Sequence, residues 1–208
     1  MCGISKCLYL NTSSVVSQSR NIVLHEVKAM SLSLSNLDSI TRQFMIEEIE
    51  QDIASGKLYI SPRLNSKGRD MYAEMLKEAA ASFDDGWLAN KIRSEGLLNS
   101  QEERRKPKGG FTTVAVPITA PETLAEGEVN RFYARGLCRR AINEEHPSLE
   151  VYRAKSVMQA RSESEAKIGT KINAEALLAD LRAHLGVDTA LGLPAGPNSG
   201  LSVKLPWA

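Results

Sequence analysis

Aromatic residues are scarce in this chain of 208 residues, where they make up only 5%. Hydrophobic residues reach 42%, which is an ordinary value for a globular protein, so the core must be built mainly from aliphatic side chains. The cysteines are Cys2, Cys7 and Cys138, an odd and sparse set that does not make a disulfide framework. With only three histidines beside them, they do not supply the closely spaced ligands of a structural zinc site. We expect reduced thiols, no metal and no other cofactor.

Long apolar runs are absent as well. No stretch of about 18 apolar residues occurs, which excludes a membrane-spanning helix, and the N-terminus lacks the apolar segment of a secretory signal. The sequence therefore predicts a cytoplasmic protein. Glycines do not follow the spacing of dinucleotide-binding or phosphate-binding loops, and no serine has the setting of a hydrolase nucleophile. Because the formal net charge is only +1, binding to a polyanion must be local.

Residues 1–29 differ in composition from the rest of the chain, being serine-rich and without clear periodicity. From Met30 onward the hydrophobic spacing becomes regular, and Met30 is a candidate for the true start. The residues Glu26, Val27 and Lys28 can be encoded by a purine-rich sequence that resembles a ribosome-binding site. This hypothesis predicts a bacterial or phage origin and an N-terminal extension without function.

The hydrophobic pattern of residues 30–98 predicts a helical region. Helical hydrophobic spacing extends over Asn36–Ala54, with Ser35 or Asn36 as the capping residue. Two further helices are predicted at Lys67–Ser82 and Asp85–Glu95. Residues 99–121 combine charge with proline and glycine, and we expect a loop or linker there that contains a short β-like run at Phe111–Val116. Its Arg104 and Arg105 are candidate anion contacts, and a merely solvated loop is the alternative.

Residues 122–208 predict a mixed region that either stands alone or forms one domain with residues 30–98. A long helix at 122–146 precedes an alternating strand at Glu150–Val157. Asn173 is the predicted cap of a helix at Ala174–Leu185, which Gly186 ends, and Leu201–Leu205 predicts a terminal strand. The predicted fold class is therefore α+β, with a helical N-terminal half and then a helix-strand-helix-strand half containing a small sheet.

Three arginines of the long helix, Arg131, Arg135 and Arg139, fall within one narrow arc at 100° per residue. Apolar residues fill the opposite arc, so the helix is amphipathic. Guanidinium groups bind phosphates well, and the row is a candidate anion-binding face. The alternative is a solvated or salt-bridged face with no binding role. Basic residues continue beyond the helix at Arg153, Lys155 and Arg161.

Arg140 and His146 are separated by five residues at the end of this helix. The spacing resembles the Arg-x4-6-His motif of HEPN ribonucleases. The resemblance implies metal-independent RNA cleavage, in which His146 acts as acid or base and Arg140 stabilises the phosphate. The chain departs from the family pattern at Ala141, where a polar residue is usual, and at Pro147, which directs His146 out of the helix.

Three classes of function follow from these patterns. The first is a bacterial or phage accessory protein that binds nucleic acid or an acidic protein through the basic helix and strand. The second is a small ribonuclease that uses Arg140 and His146. The third is a structural subunit that self-assembles into a homo-oligomer through its amphipathic faces.

Overall fold

The structure, a computed structural model, describes residues 31–184 and 199–207. The predicted extension at residues 1–29, the start at Met30 and the helix end at Gly186 lie outside the described residues. The helices are α1 (Ser39–Ala54), α2 (Ser66–Ser82), α3 (Asp85–Ser94), α4 (Ala120–Asn143), α5 (Ser162–Glu165) and α6 (Ala174–Ala183). The strands are β1 (Gln101–Arg105), β2 (Phe111–Ala115), β3 (Ser148–Arg153), β4 (Lys171–Asn173) and β5 (Leu201–Lys204). The predicted α+β class is confirmed, as is the order of a helical part followed by a mixed part.

Side-chain caps fix the starts of four helices, α1, α2, α3 and α6. Asp38 caps α1, because its Oδ1 accepts a hydrogen bond of 3.0 Å from the backbone N–H of Thr41. The predicted cap at Ser35 or Asn36 is therefore wrong. Asn36 acts elsewhere, since its side chain accepts a hydrogen bond from the backbone of Leu205 at 2.9 Å. This bond joins the start of the helical part to the end of the chain.

The segment 99–121 contains the predicted β-like run as β2, but it also contains β1, which its composition does not indicate. Strands β1 and β2 pair antiparallel across it and form a two-stranded sheet of their own. The turn closes through a 2.9 Å hydrogen bond from the N–H of Lys106 to the carbonyl of Gly110. Gly109 and Gly110 have φ of 93° and 79°, in the left-handed region where glycine is favoured. The prolines and glycines that indicated a linker therefore build a hairpin turn.

Helix α4 lies at the centre of the fold. It packs against α1, α3 and α6, and also touches α2 and two strands of the second sheet. That sheet is antiparallel in the order β4-β3-β5, so β5, at the end of the chain, pairs with β3. The buried core includes residues from both halves of the chain, such as Ile49, Leu76, Leu137, Val151 and Val203.

Candidate nucleic-acid interface

Two members of the arginine row of α4, Arg135 and Arg139, bind acidic residues of α1. The side chain of Arg135 is 0% exposed. Its Nε donates to Glu48 Oε2 at 2.9 Å, and its two terminal nitrogens donate to the Asp52 carboxylate at 2.6 and 2.9 Å. Burial alone lowers the pKa of Arg135, but the bonds to Asp52 and Glu48 outweigh burial and raise it. Arg135 is thus a fully charged group inside the core.

Glu48 is shared by three guanidinium groups. Besides Arg135, Arg139 donates to Glu48 Oε1 at 2.9 Å, and Arg182 of α6 donates to the two Glu48 oxygens at 3.0 and 2.5 Å. Arg139 also binds Glu47 at 3.0 Å. The cluster joins α1, α4 and α6 at one point, where each buried charge has opposite charges within hydrogen-bond distance.

Glu48 provides a pH-dependent test of this cluster. Burial raises the pKa of Glu48, but hydrogen bonds from Arg182, Arg139 and Arg135 outweigh burial and lower it from 4.5 to about 2. The stabilisation that ionised Glu48 gives to the folded state is therefore complete above pH 4.5 and is lost as the pH falls through about 2. We expect the stability advantage of the wild type over Glu48→Gln to shrink by about 3 kcal/mol between these limits. Urea unfolding of both proteins at several pH values measures this stability advantage. An advantage that does not change with pH would contradict the ion pairs assigned to Glu48.

The row is not an open anion-binding face at its first two members, because Arg131 is 6% exposed and Arg135 is 0% exposed. The salt-bridged alternative describes Arg135, which binds Glu48 and Asp52. Arg139 is partly exposed but is engaged with two carboxylates. Sequence reasoning also missed Glu48 and Asp52, which it did not assign to any site. A usable signal exists, because these two acids are four residues apart on α1 and match the four-residue spacing of Arg135 and Arg139 on an antiparallel helix.

The basic residues after α4 do not extend this row into an open surface. Arg153 donates to Glu165 Oε1 at 2.6 Å and to the carbonyl of Ser199 at 2.7 Å. Lys155 forms an ion pair with Glu126. Arg161 is exposed and immediately precedes α5. Arg153 and Lys155 are thus locally compensated.

Arg140 and His146 are in different settings. Arg140 binds Asp38 at 2.6 Å and Glu144 at 2.7 Å, and its side chain is 12% exposed. His146 is exposed beyond the end of α4, with its ring 5.1 Å from that of Trp207 between centroids. Its position outside the helix agrees with the prediction made from Pro147. Ribonuclease action by this pair stays a prediction. The Arg140 guanidinium, which would have to stabilise the phosphate, already binds two carboxylates.

The hairpin of β1 and β2 presents a different charge environment. Every residue of 101–115 is exposed or half-buried. Four cations occur within five positions at its tip: Arg104, Arg105, Lys106 and Lys108. Arg104 comes within 3.4 Å of Glu102, but its side chain is 60% exposed, so this pair is weak.

The two faces of the hairpin differ. Glu102, Thr112 and Val114 are half-buried on one face, whereas the opposite face is exposed. On the exposed face Arg105 is directly opposite Phe111 across the strands, and Phe111 is 66% exposed. The hairpin is anchored at its base by Arg63, whose Nη2 donates to Glu102 at 3.0 Å. The tip therefore offers clustered cations beside an exposed aromatic ring.

Within residues 31–184 and 199–207, no helix is both long and apolar enough to cross a bilayer. Comparisons with protein-family models, with curated proteins and with solved structures found no match to this chain.

Proposed function

We propose that this protein is a bacterial or phage accessory protein of the cytoplasm that binds nucleic acid through the β1–β2 hairpin. The observation that carries the proposal is the exposed tip, where four cations are clustered beside Phe111. The proposal moves the interface from the arginine helix, where Arg135 and Arg139 bind carboxylates of the protein itself, to Arg104, Arg105 and their neighbours in sequence.

The shape of the hairpin supports nucleic acid over an acidic protein as the partner. The major groove of duplex DNA admits a two-stranded β-ribbon, and Arg and Lys side chains at a ribbon tip reach phosphates on either side. An exposed aromatic ring contributes to binding by stacking on a base of a single strand. Contacts of this kind position the protein on the backbone and carry little sequence information, so we expect binding with weak sequence preference.

The test compares two double variants that remove the same charge. Arg105→Gln with Lys106→Gln neutralises the hairpin tip, whereas Lys57→Gln with Lys171→Gln neutralises exposed lysines outside the hairpin. We expect the hairpin variant to bind labelled duplex and single-stranded oligonucleotides roughly tenfold more weakly, with the slope of log K against log salt reduced by about 2. The control variant should bind like the wild type. Fluorescence anisotropy at several salt concentrations gives both quantities.

Equal binding by the two double variants would reject the hairpin as the interface. Phe111→Ser separates the possible partners further, because loss of a stacking ring should weaken single-strand binding several-fold. If the wild type binds none of the oligonucleotides but binds a poly-glutamate peptide, the partner is an acidic protein and the proposal is wrong. Light scattering on the same samples tests self-assembly, which stays a sequence-based prediction.

A further inference from the structure

A cleft of about 130 Å³ lies at the base of the hairpin, between α4 and the segments that flank α2 and α3. Its walls include Tyr59, Ser61, Leu98, Leu124, Gly127 and Arg131. This volume corresponds to about four water molecules of liquid. The cleft is therefore large enough for a small molecule of a few heavy atoms.

Arg131 is the unusual group in this cleft. Its side chain is only 4% exposed, and its Nη2 is 3.8 Å from Oε1 of Glu128. Within the described part of the chain, neither Nε nor Nη1 has a hydrogen-bond partner. A buried guanidinium with unused N–H groups is costly. Arg135, one turn further along α4, shows by contrast how fully the same helix satisfies a buried arginine.

A second buried polar group is close to Arg131. The hydroxyl of Tyr72 has no hydrogen-bond partner among the described residues, and the residue is 0% exposed. It interacts electrostatically with Glu128, Tyr59 and Arg131. Burial, with the Glu128 charge adding to it, raises the pKa of Tyr72 well above its usual value, so the hydroxyl stays neutral. The cleft thus combines unused donors on Arg131 with a neighbouring unused hydroxyl.

The residues that line the cleft restrict which ligands can accept hydrogen bonds from Arg131. Leu98 and Leu124 make part of the lining apolar, which suits a short carbon skeleton better than an inorganic ion. The Glu128 carboxylate on the same wall repels a dianion such as phosphate and attracts a hydrogen-bond donor. Arg63, the other cation of the lining, is paired with Glu102. Both features fit one small molecule that carries a carboxylate at one end and a donor group near it.

We propose that this cleft binds a small hydroxy acid or amino acid, whose carboxylate accepts hydrogen bonds from Arg131 and whose hydroxyl or amino group faces Glu128. The binding depends on the cleft alone, and it holds whether or not the hairpin binds nucleic acid. Gly127 offers a way to close the cleft, because it lines the cleft and a Cβ added there would meet no atom within 4 Å.

The test is isothermal titration calorimetry of the full chain with lactate, alanine, acetate and inorganic phosphate. We expect saturable binding of lactate or alanine, weaker binding of acetate and none of phosphate. Arg131→Gln should weaken binding roughly tenfold, as expected for loss of a hydrogen bond to a charged group. Gly127→Leu should abolish it, whereas Gly127→Ala should retain it. Circular dichroism and thermal unfolding verify that each variant is folded.

Two results would overturn the proposal. One is the absence of saturable binding by either lactate or alanine to the wild type, which would mean that water alone satisfies Arg131 and Tyr72. The other is unchanged binding in folded Gly127→Leu, which would place the ligand elsewhere. If Arg131→Gln does not fold, Gly127→Leu alone decides, because it leaves every charged group in place.

Discussion

Replacement of Arg135 by alanine is expected to lower the free energy of unfolding by about 3–5 kcal/mol. The change removes the guanidinium that binds Glu48 and Asp52 at 2.6–2.9 Å. Both carboxylates are buried, and Asp52 would lose the only cation that the described residues place in a salt bridge with it. The cost therefore comes mainly from unpaired charge left in the core and only partly from the lost bonds. A loss of this size is a large share of the stability of an ordinary domain.

Urea unfolding at pH 7 measures this loss, and two comparisons make it specific. Arg104→Ala, at an exposed position of the hairpin, should change stability by less than about 0.5 kcal/mol. Adding Asp52→Asn to Arg135→Ala should recover part of the loss, because it removes one of the charges left unpaired. A cost below about 1 kcal/mol for Arg135→Ala, or no recovery in the double variant, would contradict the role assigned to the cluster.

The two glycines within α4 are expected to respond to the same substitution with opposite signs. At Gly136 an added Cβ would lie 2.9 Å from Met45 Cγ and 3.0 Å from the carbonyl oxygen of Thr41. The second neighbour is backbone, so α1 and α4 would have to move apart. We expect Gly136→Ala to destabilise the protein by about 1–3 kcal/mol, the usual cost of overpacking.

Gly127→Ala is the matched control for Gly136→Ala. Its added Cβ meets open space, and alanine is favoured over glycine within a helix by about 0.5–1 kcal/mol. Thermal unfolding should therefore move to a higher midpoint for Gly127→Ala and to a lower midpoint for Gly136→Ala. Two shifts of the same sign would mean that helix propensity, and not the close approach of α1 and α4, governs both positions.

Local signals in the sequence located much of the secondary structure. The Asn173 side chain caps α6 as predicted, accepting a hydrogen bond from the N–H of Ala176 at 2.9 Å, and the predicted terminal strand is present as β5. The second and third helices begin within one residue of their predicted starts. These features depend on neighbours a few positions away, through capping bonds and the helical repeat. They can therefore be identified without any knowledge of the tertiary fold.

The environment of the arginine row could not be identified in this way. Arg135 and Glu48 are 87 residues apart in sequence. The hydrophobic pattern correctly indicates that Arg131, Arg135 and Arg139 share one face, but a shared polar face is equally typical of a solvated helix. The hairpin shows the converse case, since the charged residues of β1 predict a loop but form a strand by pairing with β2.

The sequence by itself determined the α+β class, most helices of the described chain and the alignment of the arginines, because each of these follows from short-range spacing. Only the tertiary structure decided which charges are available to a partner. Packing of α1 and α6 against α4 buries Arg135 with Glu48 and Asp52. The segments that flank α2 and α3 enclose Arg131 in the cleft, and the hairpin tip stays exposed. The physical reason is that solvation and neighbouring charges determine whether a charged side chain can bind a partner. Both depend on residues that are distant in sequence.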